Sequence, residues 1–454
     1  MMAFCSVATG QPSRPNIIFI MADDLGPEWI GCYGAEGIQT PNLDRMAAEG
    51  MRFTHAYSMP KCTPTRVALL TGTYPYRNGW VNHWDVPRWG ARCHFDPGHY
   101  TTFAELLRAA GYRTAIAGKW QINDFRVQPN VLDKHGFDDW CVWTGYETGN
   151  PPSAERYWDP YIHTRDGSKT YPGRFGPDVY TDFLIEFLQR EDDRPACLYF
   201  PMALPHTPFV TTPHDQGATG RLAKHMAMTR YIDHLVGRLL DSVASLESGR
   251  KTLVIFTTDN GSTGGLMNRM HGRQVTGGKG KISENGCRAP FIAWGPGLVP
   301  VGRVNDTLTD FTDVLPTFAE LAGADLPDGL VLDGRSIAPV LVGQAERGPR
   351  QWIMAMGGGV ARLTQDNRVV PARPFADRVI RDRRYKLWVV DRQPARLYDL
   401  QQDPAETRNL IDSTDPQVLE AKQRLAAVAE SFPDQDAAPR YDPTPAQAWD
   451  RKPR

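Results

Sequence analysis

The chain has no long apolar run, no surplus of either charge and no paired cysteine pattern, and each absence removes a class of function. No window approaches the roughly 18 consecutive apolar residues that a membrane-spanning helix requires, so no membrane span is expected. Fifty-one basic side chains against fifty-two acidic ones leave a formal charge of −1. No global field therefore draws the chain to nucleic acid or a membrane surface, and an anionic substrate must be held by lysines and arginines gathered locally. The seven cysteines (5, 32, 62, 93, 141, 197 and 287) are odd in number and show no CxxC spacing, which indicates neither a disulfide framework nor a zinc knuckle. At least one thiol is left to explain. No internal repeat is visible, and 41 glycines with 37 prolines in 454 residues fall below a low-complexity composition.

What is present is a globular pattern, 41% hydrophobic, with apolar runs alternating with helical periodicity. That alternation predicts an α/β fold: a mixed, mainly parallel sheet sandwiched by helices. Strands are expected at 16–21, 112–118, 196–200, 253–258 and 290–294. Helices are expected from a Thr102/Glu105 capping box to Gly111, over 178–190 and over 221–245. Residues 15–345 read as the main catalytic unit. Beyond it, 352–356, 378–382 and 385–390 look like antiparallel strands, and Asp415-Pro416 opens a last helix to about Glu430. This predicts a small C-terminal antiparallel α+β subdomain over 346–431 and an extended tail over 432–454. The opening MMAFCSVATG ends in small residues spaced as at a secretory cleavage site and has no basic residue before Arg14. It reads as the remnant of a secretory signal over 1–14, which implies a periplasmic or secreted protein; the alternative is a frayed, mildly apolar terminus.

Four of the expected strands run into polar groups: Asp23-Asp24, Lys119, His206 and Asp259-Asn260. Ligands of open parallel sheets bind at the carboxyl ends of strands, so these groups are the place to look for chemistry. Asp23, Asp24, Asp259 and Asn260 offer only oxygen, and three carboxylates brought together repel one another unless a hard divalent cation, calcium or magnesium, lies between them. Arg66, Lys119 and Lys279 lie in or beside the same segments. One cation, several fixed positive side chains and one histidine suit a compact tetrahedral anion, whether a sulfuryl or a phosphoryl ester.

The most specific segment is Cys62-Thr63-Pro64-Thr65-Arg66, followed by Leu70-Thr71-Gly72. Pro64 suits a first helical turn, which places Cys62 at a helix N-terminus where backbone N–H groups favour negative charge. The pattern matches the C-x-P-x-R-x-x-x-x-T-G signature of Cys-type sulfatases, and the chain resembles that family of the alkaline phosphatase superfamily from Pro15-Asn16-Ile17 to Asn409-Leu410. Thr40-Pro41-Asn42-Leu43-Asp44, Gly118-Lys119-Trp120, Pro205-His206-Thr207-Pro208, Thr258-Asp259-Asn260-Gly261 and Gly278-Lys279 follow in the family's order. The resemblance implies a sulfatase whose Cys62 is oxidised to formylglycine by a maturation enzyme, and whose Asp23, Asp24, Asp259 and Asn260 bind calcium together with the modified Cys62. By the same resemblance Arg66 supports the modified side chain, Lys119 and Lys279 hold the sulfate, and His206, near or above its ordinary pKa, protonates the leaving alcohol. A hydrated aldehyde would offer one hydroxyl to sulfur and a second to expel sulfate by re-forming the carbonyl.

The chain departs from the family pattern at Gln121, where Gly-Lys-Trp is usually followed by histidine. Glutamine orients by hydrogen bonding but does not titrate near neutrality. His271, in the loop between Asn260 and Lys279, is a candidate replacement base, against the plainer reading of a solvated loop histidine, and Arg273 joins it in a possible substrate patch. Trp80, His83, Trp84, Arg88 and Trp89 are dense enough to stack on sugar rings, or equally to form an aromatic plug over the sheet edge. A carbohydrate sulfate is the expected substrate. The rival readings are a phosphonate or phosphate ester hydrolase of the same superfamily and a sulfated-glycan-binding protein without turnover.

Overall fold

The computed structural model describes residues 14–82, 93–145, 155–247, 249–357, 361–366, 368–445 and 447–449. The sequence NIIFIMA forms strand β1 (Asn16–Ala22), buried at every position, as an uninterrupted apolar run must be when helices cover both faces of its sheet. Around it lie β2 (Met51–Tyr57), β3 (Arg113–Lys119), β4 (Asp139–Trp143), β5 (Tyr161–Thr164), β6 (Gly167–Thr170), β7 (Ala196–Pro201) and β8 (Thr252–Thr258). A hairpin, β9 (Met267–Met270) with β10 (Arg273–Thr276), precedes β11 (Phe291–Trp294) and β12 (Arg303–Asp310). The ten-stranded sheet runs β12-β2-β11-β8-β1-β7-β3-β4-β5-β6.

Alternate residues of β1 enter different cores. Ile17, Phe19 and Met21 pack with Val67 and Leu70, Phe103 and Leu107, and Leu315 and Phe318, from the helices Cys62–Thr71, Phe103–Ala109 and Val314–Ala322. Ile18, Ile20 and Ala22 pack with Leu43 and Met46, Leu184 and Phe187, and Ile232 and Leu239, from the helices Pro41–Ala48, Gly176–Gln189 and Arg221–Ala244. The period-two division of one strand between two cores is what makes the fold a three-layer sandwich. The Thr102/Glu105 capping box is present, and Asp415 caps the helix Pro416–Glu430 through the amides of Gln417 and Val418.

The strand expected at 290–294 is present, but it runs antiparallel to both neighbours, β8 and β2. A parallel return needs a crossover helix. The connection from Thr258 to Phe291 carries instead the β9–β10 hairpin and one four-residue helical turn, Glu284–Cys287. It doubles back on the sheet's functional edge and leaves residues 259–287 there. Strands β2, β4, β5, β6 and β12 were missed by pattern alone, because β2 (MRFTHAY) and β6 (GSKT) interleave polar side chains that no local rule assigns to a sheet.

The C-terminal part forms a second, antiparallel sheet β13-β16-β17-β18, with β13 at Ile353–Met356, β16 at Arg378–Arg381, β17 at Tyr385–Val390 and β18 at Gln393–Asp399. Between its first two strands lies the two-stranded pair β14 (Ala361–Leu363) and β15 (Val369–Pro371). Buried ions lock the second sheet to the main unit. Lys386, wholly buried, reaches Glu284 at 3.2 Å and Glu406 at 3.0 Å, and Arg381 reaches the other oxygen of Glu284 at 3.2 Å. After 431 no helix or strand occurs among the described residues, yet the segment is anchored: Tyr441 is buried and its hydroxyl accepts from the Val369 amide at 2.9 Å. Among the described residues no helix is long and apolar enough to cross a membrane.

The strongest of these anchors is the wholly buried Arg378–Asp436 pair, with contacts of 2.6 and 2.9 Å. Asp436→Ala should lower stability by about 3–5 kcal/mol, because it strands a guanidinium in the core. A thermal midpoint equal to that of the parent chain would show that the segment contributes nothing.

Candidate active site

Strands β8, β1, β7 and β3 are parallel neighbours, so their carboxyl ends form one edge. β1 delivers Asp23 and Asp24, β8 delivers Asp259 and Asn260, β3 ends on Lys119, and β7 leads to His206. The expected convergence of four strand ends is observed. A fifth end, unanticipated, is β2, which leads to Cys62 at the first turn of its helix. Gly118 permits the approach of β3: its φ is +114°, and a Cβ there would lie 2.1 Å from the Pro201 carbonyl oxygen.

The carboxylates are held by the cations the sequence singled out. Lys119 Nζ donates to Asp23 Oδ2 at 2.6 Å, and Arg66 Nη2 donates to Asp259 Oδ2 at 2.8 Å while its Nη1 holds the Lys119 carbonyl at 2.9 Å. Lys279 Nζ lies 2.7 Å from Asp24, which also accepts from Asn260 Nδ2 at 2.7 Å and Thr263 Oγ1 at 2.9 Å. Asp24 sits in the left-handed region, φ 67°, with its amide donating to Asp259 Oδ1 at 3.1 Å. The strain of that backbone, of order 1 kcal/mol, is accepted where the cluster needs the carboxylate turned inward.

Burial pushes the carboxyl of Asp23 up, but Lys119, His206, Arg66 and Lys279 outweigh it and hold the group well below the usual range. Asp259 goes the other way: burial and then repulsion by Asp23 raise it far above an ordinary carboxylate, against the pull of Arg66. Asp23, Asp24 and Asp259 are thus paired with Lys119, Lys279 and Arg66, one cation to each carboxylate. Two buried oxygens, Asp23 Oδ1 and Asn260 Oδ1, have no hydrogen-bond partner, and ligand atoms of Asp23, Cys62 and Asp259 lie within 4.8 Å of one another. Orphaned acceptor oxygens among clustered carboxylates are what a hard divalent cation satisfies, so the residues present fit calcium or magnesium.

The helix Cys62–Thr71 begins after Lys61 in extended conformation and ends at Gly72, φ 66°. Thr65 fixes its first turn to the cluster by donating to the Asp259 carbonyl at 2.7 Å. His206 departs from expectation: burial, opposed by Asp24 and Asp23, pushes its imidazole down to about 3. Its Nδ1 is 2.7 Å from the Thr207 carbonyl, so Nδ1–H donates there and Nε2 is the face turned toward Asp24 Oδ2, 3.7 Å away. Gln121 follows Lys119 by two residues in a left-handed conformation, φ 59°.

Other candidates are placed elsewhere. His271 is exposed at the turn between β9 and β10, φ 50°, its ring against Gly34. It makes no recorded contact with the carboxylate cluster, because the hairpin carries the loop's centre away from the strand ends. Arg273 is likewise exposed, on β10. Trp80 is not a stacking surface: it is buried, with Nε1 donating to Tyr100 at 3.1 Å. His83, Trp84, Arg88 and Trp89 lie outside the described residues. Sequence reasoning missed Arg156, buried with Nη1 3.8 Å from Asp23 Oδ2; no strand end or motif marks it.

A family model described as Sulfatase matches residues 15–324, and one described as N-sulphoglucosamine sulphohydrolase, C-terminal, matches 278–431. The chain is 34% identical over 366 residues to N-acetylgalactosamine-6-sulfatase of Canis lupus familiaris, covering 74% of this chain and 67% of that protein. It is 31% identical over 486 residues to arylsulfatase A of Bos taurus, covering 95% and 90%. The crystal structure of Ps i-CgsB in complex with k-i-k-neocarrahexaose superposes with a TM-score of 0.75 at 23% identity, covering 94% of this chain and 95% of that one. The structure of BT4656 in complex with its substrate D-Glucosamine-2-N, 6-O-disulfate gives 0.70 at 22% identity, covering 94% and 100%. These likenesses agree on the fold.

Calcium should raise the thermal midpoint of the chain and a chelator should lower it, with a gain of about 2.7 kcal/mol at a hundredfold excess over Kd. Asp259→Ala, which removes one anionic ligand, should show a much smaller gain, and magnesium in the same titration ranks the two ions. A midpoint indifferent to both ions and to chelation would reject the metal site.

Proposed function

We propose a mechanism and a substrate class on one premise: the chain belongs to the sulfatase family, and its reaction is the hydrolysis of a sulfuric ester. The substrate class is a carbohydrate sulfate monoester. Relatives named N-acetylgalactosamine-6-sulfatase, and fold neighbours solved with D-Glucosamine-2-N, 6-O-disulfate and with k-i-k-neocarrahexaose, support that choice. The domain reading stands with it: a catalytic unit over 15–345, a C-terminal subdomain over 346–431 and a tail beyond.

The observation that carries the mechanism is Cys62 lying among Asp23 and Asp259. A thiol is the one soft donor in a set otherwise made of oxygens, and a hard cation prefers oxygen throughout. Conversion of Cys62 to formylglycine by a maturation enzyme makes the set uniform and supplies, as the aldehyde hydrate, a hydroxyl nucleophile with a second hydroxyl to release sulfate. Asp23, Asp24, Asp259, Asn260 and the modified residue 62 would hold calcium, which would supply Lewis acidity to the site when bound.

The remaining work falls to side chains in place. Lys119 and Lys279 present ammonium groups to the sulfate oxygens from opposite sides of the carboxylate pair, the first from Asp23 and the second from Asp24. Arg66 keeps Asp259 and the end of β3 fixed. Burial disfavours the cation of His206. An anionic ester beside the ring favours the imidazolium, so the proton is taken up with substrate and given from Nε2 to the departing oxygen. Gln121 orients the nucleophile by hydrogen bonding and transfers no proton.

The peptide containing Cys62 should lose its sulfur in a host with the maturation system. Cys62→Ser, in a host that modifies only cysteine, should fold and lose turnover by on the order of 10³-fold or more. Full activity in that variant would reject the nucleophile, and faster turnover of phosphate than of sulfate aryl esters would favour the phosphatase reading. His206→Ala should cost about 10²–10⁴-fold on a sulfated sugar and far less on nitrophenyl sulfate, whose leaving oxygen needs little protonation. Equal losses on the two would remove its role as acid.

A further inference from the structure

We infer that Lys61 is a specificity-determining residue, the contact for a second anionic group, carboxylate or sulfate, that the substrate carries beside the ester to be cleaved. The inference rests on the reading of this strand edge as the sulfate site. Lys61 immediately precedes Cys62 and is extended, φ −141° and ψ 153°, where the chain leaving β2 turns into the helix Cys62–Thr71. Its backbone is fixed to the site. The Lys61 carbonyl accepts from the Thr65 amide at 3.3 Å, and the Thr65 hydroxyl donates to the Asp259 carbonyl at 2.7 Å. The Pro60 carbonyl accepts from the Gly280 amide at 2.7 Å, which holds this turn against the residue after Lys279. The side chain follows the same contact: a Cβ on Gly280 would lie 3.8 Å from Lys61 Cε. Nζ then donates to Asn82 Oδ1 at 3.2 Å. The ammonium is therefore set between Gly280 and Asn82, one residue along the chain from the nucleophile position.

Its partner separates it from the other cations of this edge. Arg66, Lys119 and Lys279 each hold a carboxylate, at 2.8, 2.6 and 2.7 Å. Among the described residues Lys61 instead holds a neutral amide oxygen. The charged groups that act on it are Cys62 and Lys279: burial disfavours its ammonium, Cys62 opposes that effect and Lys279 adds to it. An ammonium has three N–H donors, and Asn82 takes one. Lys61 is only half-buried, so the other two remain open to a ligand. A molecule whose ester lies at residue 62 brings its neighbouring substituents to residue 61. Lys119 and Lys279 serve the ester itself in the proposed reaction, which leaves Lys61 for a group outside it. A compact charge on a flexible stem, with rotatable donors, accepts carboxylate and sulfate oxygens alike, and partial burial strengthens the contact relative to one in water.

The test uses the metal-loaded, formylglycine-bearing enzyme and three aryl esters with leaving phenols of similar basicity: phenyl sulfate, 3-carboxyphenyl sulfate and resorcinol disulfate. Released sulfate is the readout, corrected for the two equivalent esters of the last. The parent should favour at least one doubly anionic ester over phenyl sulfate. Lys61→Gln should lower kcat/KM on that ester about tenfold more than on phenyl sulfate, the size of one charge-assisted contact. Lys61→Arg should keep the preference and Lys61→Glu should reverse it. A preference for the carboxyphenyl ester alone identifies a carboxylate as the group held, and one for the disulfate alone identifies a second sulfate. A Gln variant that loses the same factor on all three esters overturns the inference, since that is the mark of a residue that only positions its neighbours. Should the Gln variant fail to fold, the parent decides through salt: high ionic strength should erase its preference, and a preference that persists overturns. If the parent cleaves none of the three, the sulfate-site reading fails and the inference with it; if it cleaves all three equally well, only the role of Lys61 falls.

Discussion

Three carboxylates buried at one sheet edge are the constraint on which the rest of this molecule depends. Asp23, Asp24 and Asp259 are all but inaccessible; burial and then repulsion by Asp23 push the Asp259 carboxyl up, while the surrounding cations hold that of Asp23 down. No fold tolerates such a group without a purpose for it. The cations Lys119, Arg66 and Lys279 come from three separate parts of the chain to meet it. Oxygens left without a donor mark where a further positive charge belongs.

That requirement explains features far from the chemistry. Lys279 reaches the site from a connection that has no crossover helix, and the same connection carries Glu284, gripped by Lys386 and Arg381 of the second sheet. Both cations also lie over the ring of Tyr57, at the end of β2 that leads to Cys62. The C-terminal sheet thus fixes two segments of the site from behind. Its buried ion pairs buy position more than stability, since such pairs seldom repay their desolvation in full.

Burial also sets the electrostatics of this edge. Burial chiefly, against Asp24 and Asp23, pushes the His206 imidazole down; in the proposed reaction its proton would arrive with the anionic ester. In the proposed reaction low dielectric would likewise strengthen contacts between the fixed ammonium groups and sulfate.

The sequence alone determined the layered α/β class, because unbroken apolar strands and one-sided helices are local patterns with local causes. It also marked Asp23, Asp24, Lys119, His206, Asp259 and Asn260, since each follows a strand, and Cys62 with Arg66 through their resemblance to the C-x-P-x-R signature. Tertiary structure decided what local pattern does not encode. β11 is antiparallel because its connection lacks a helix, and His271 is turned away because a hairpin intervenes. Trp80 is core because Phe95 and Tyr100 cover it. Arg156 enters the site from a segment without a motif, and Arg378 holds residues beyond 431 through one buried ion pair. Contacts between residues distant in sequence are set by how the chain closes on itself, and no window of neighbours contains that information.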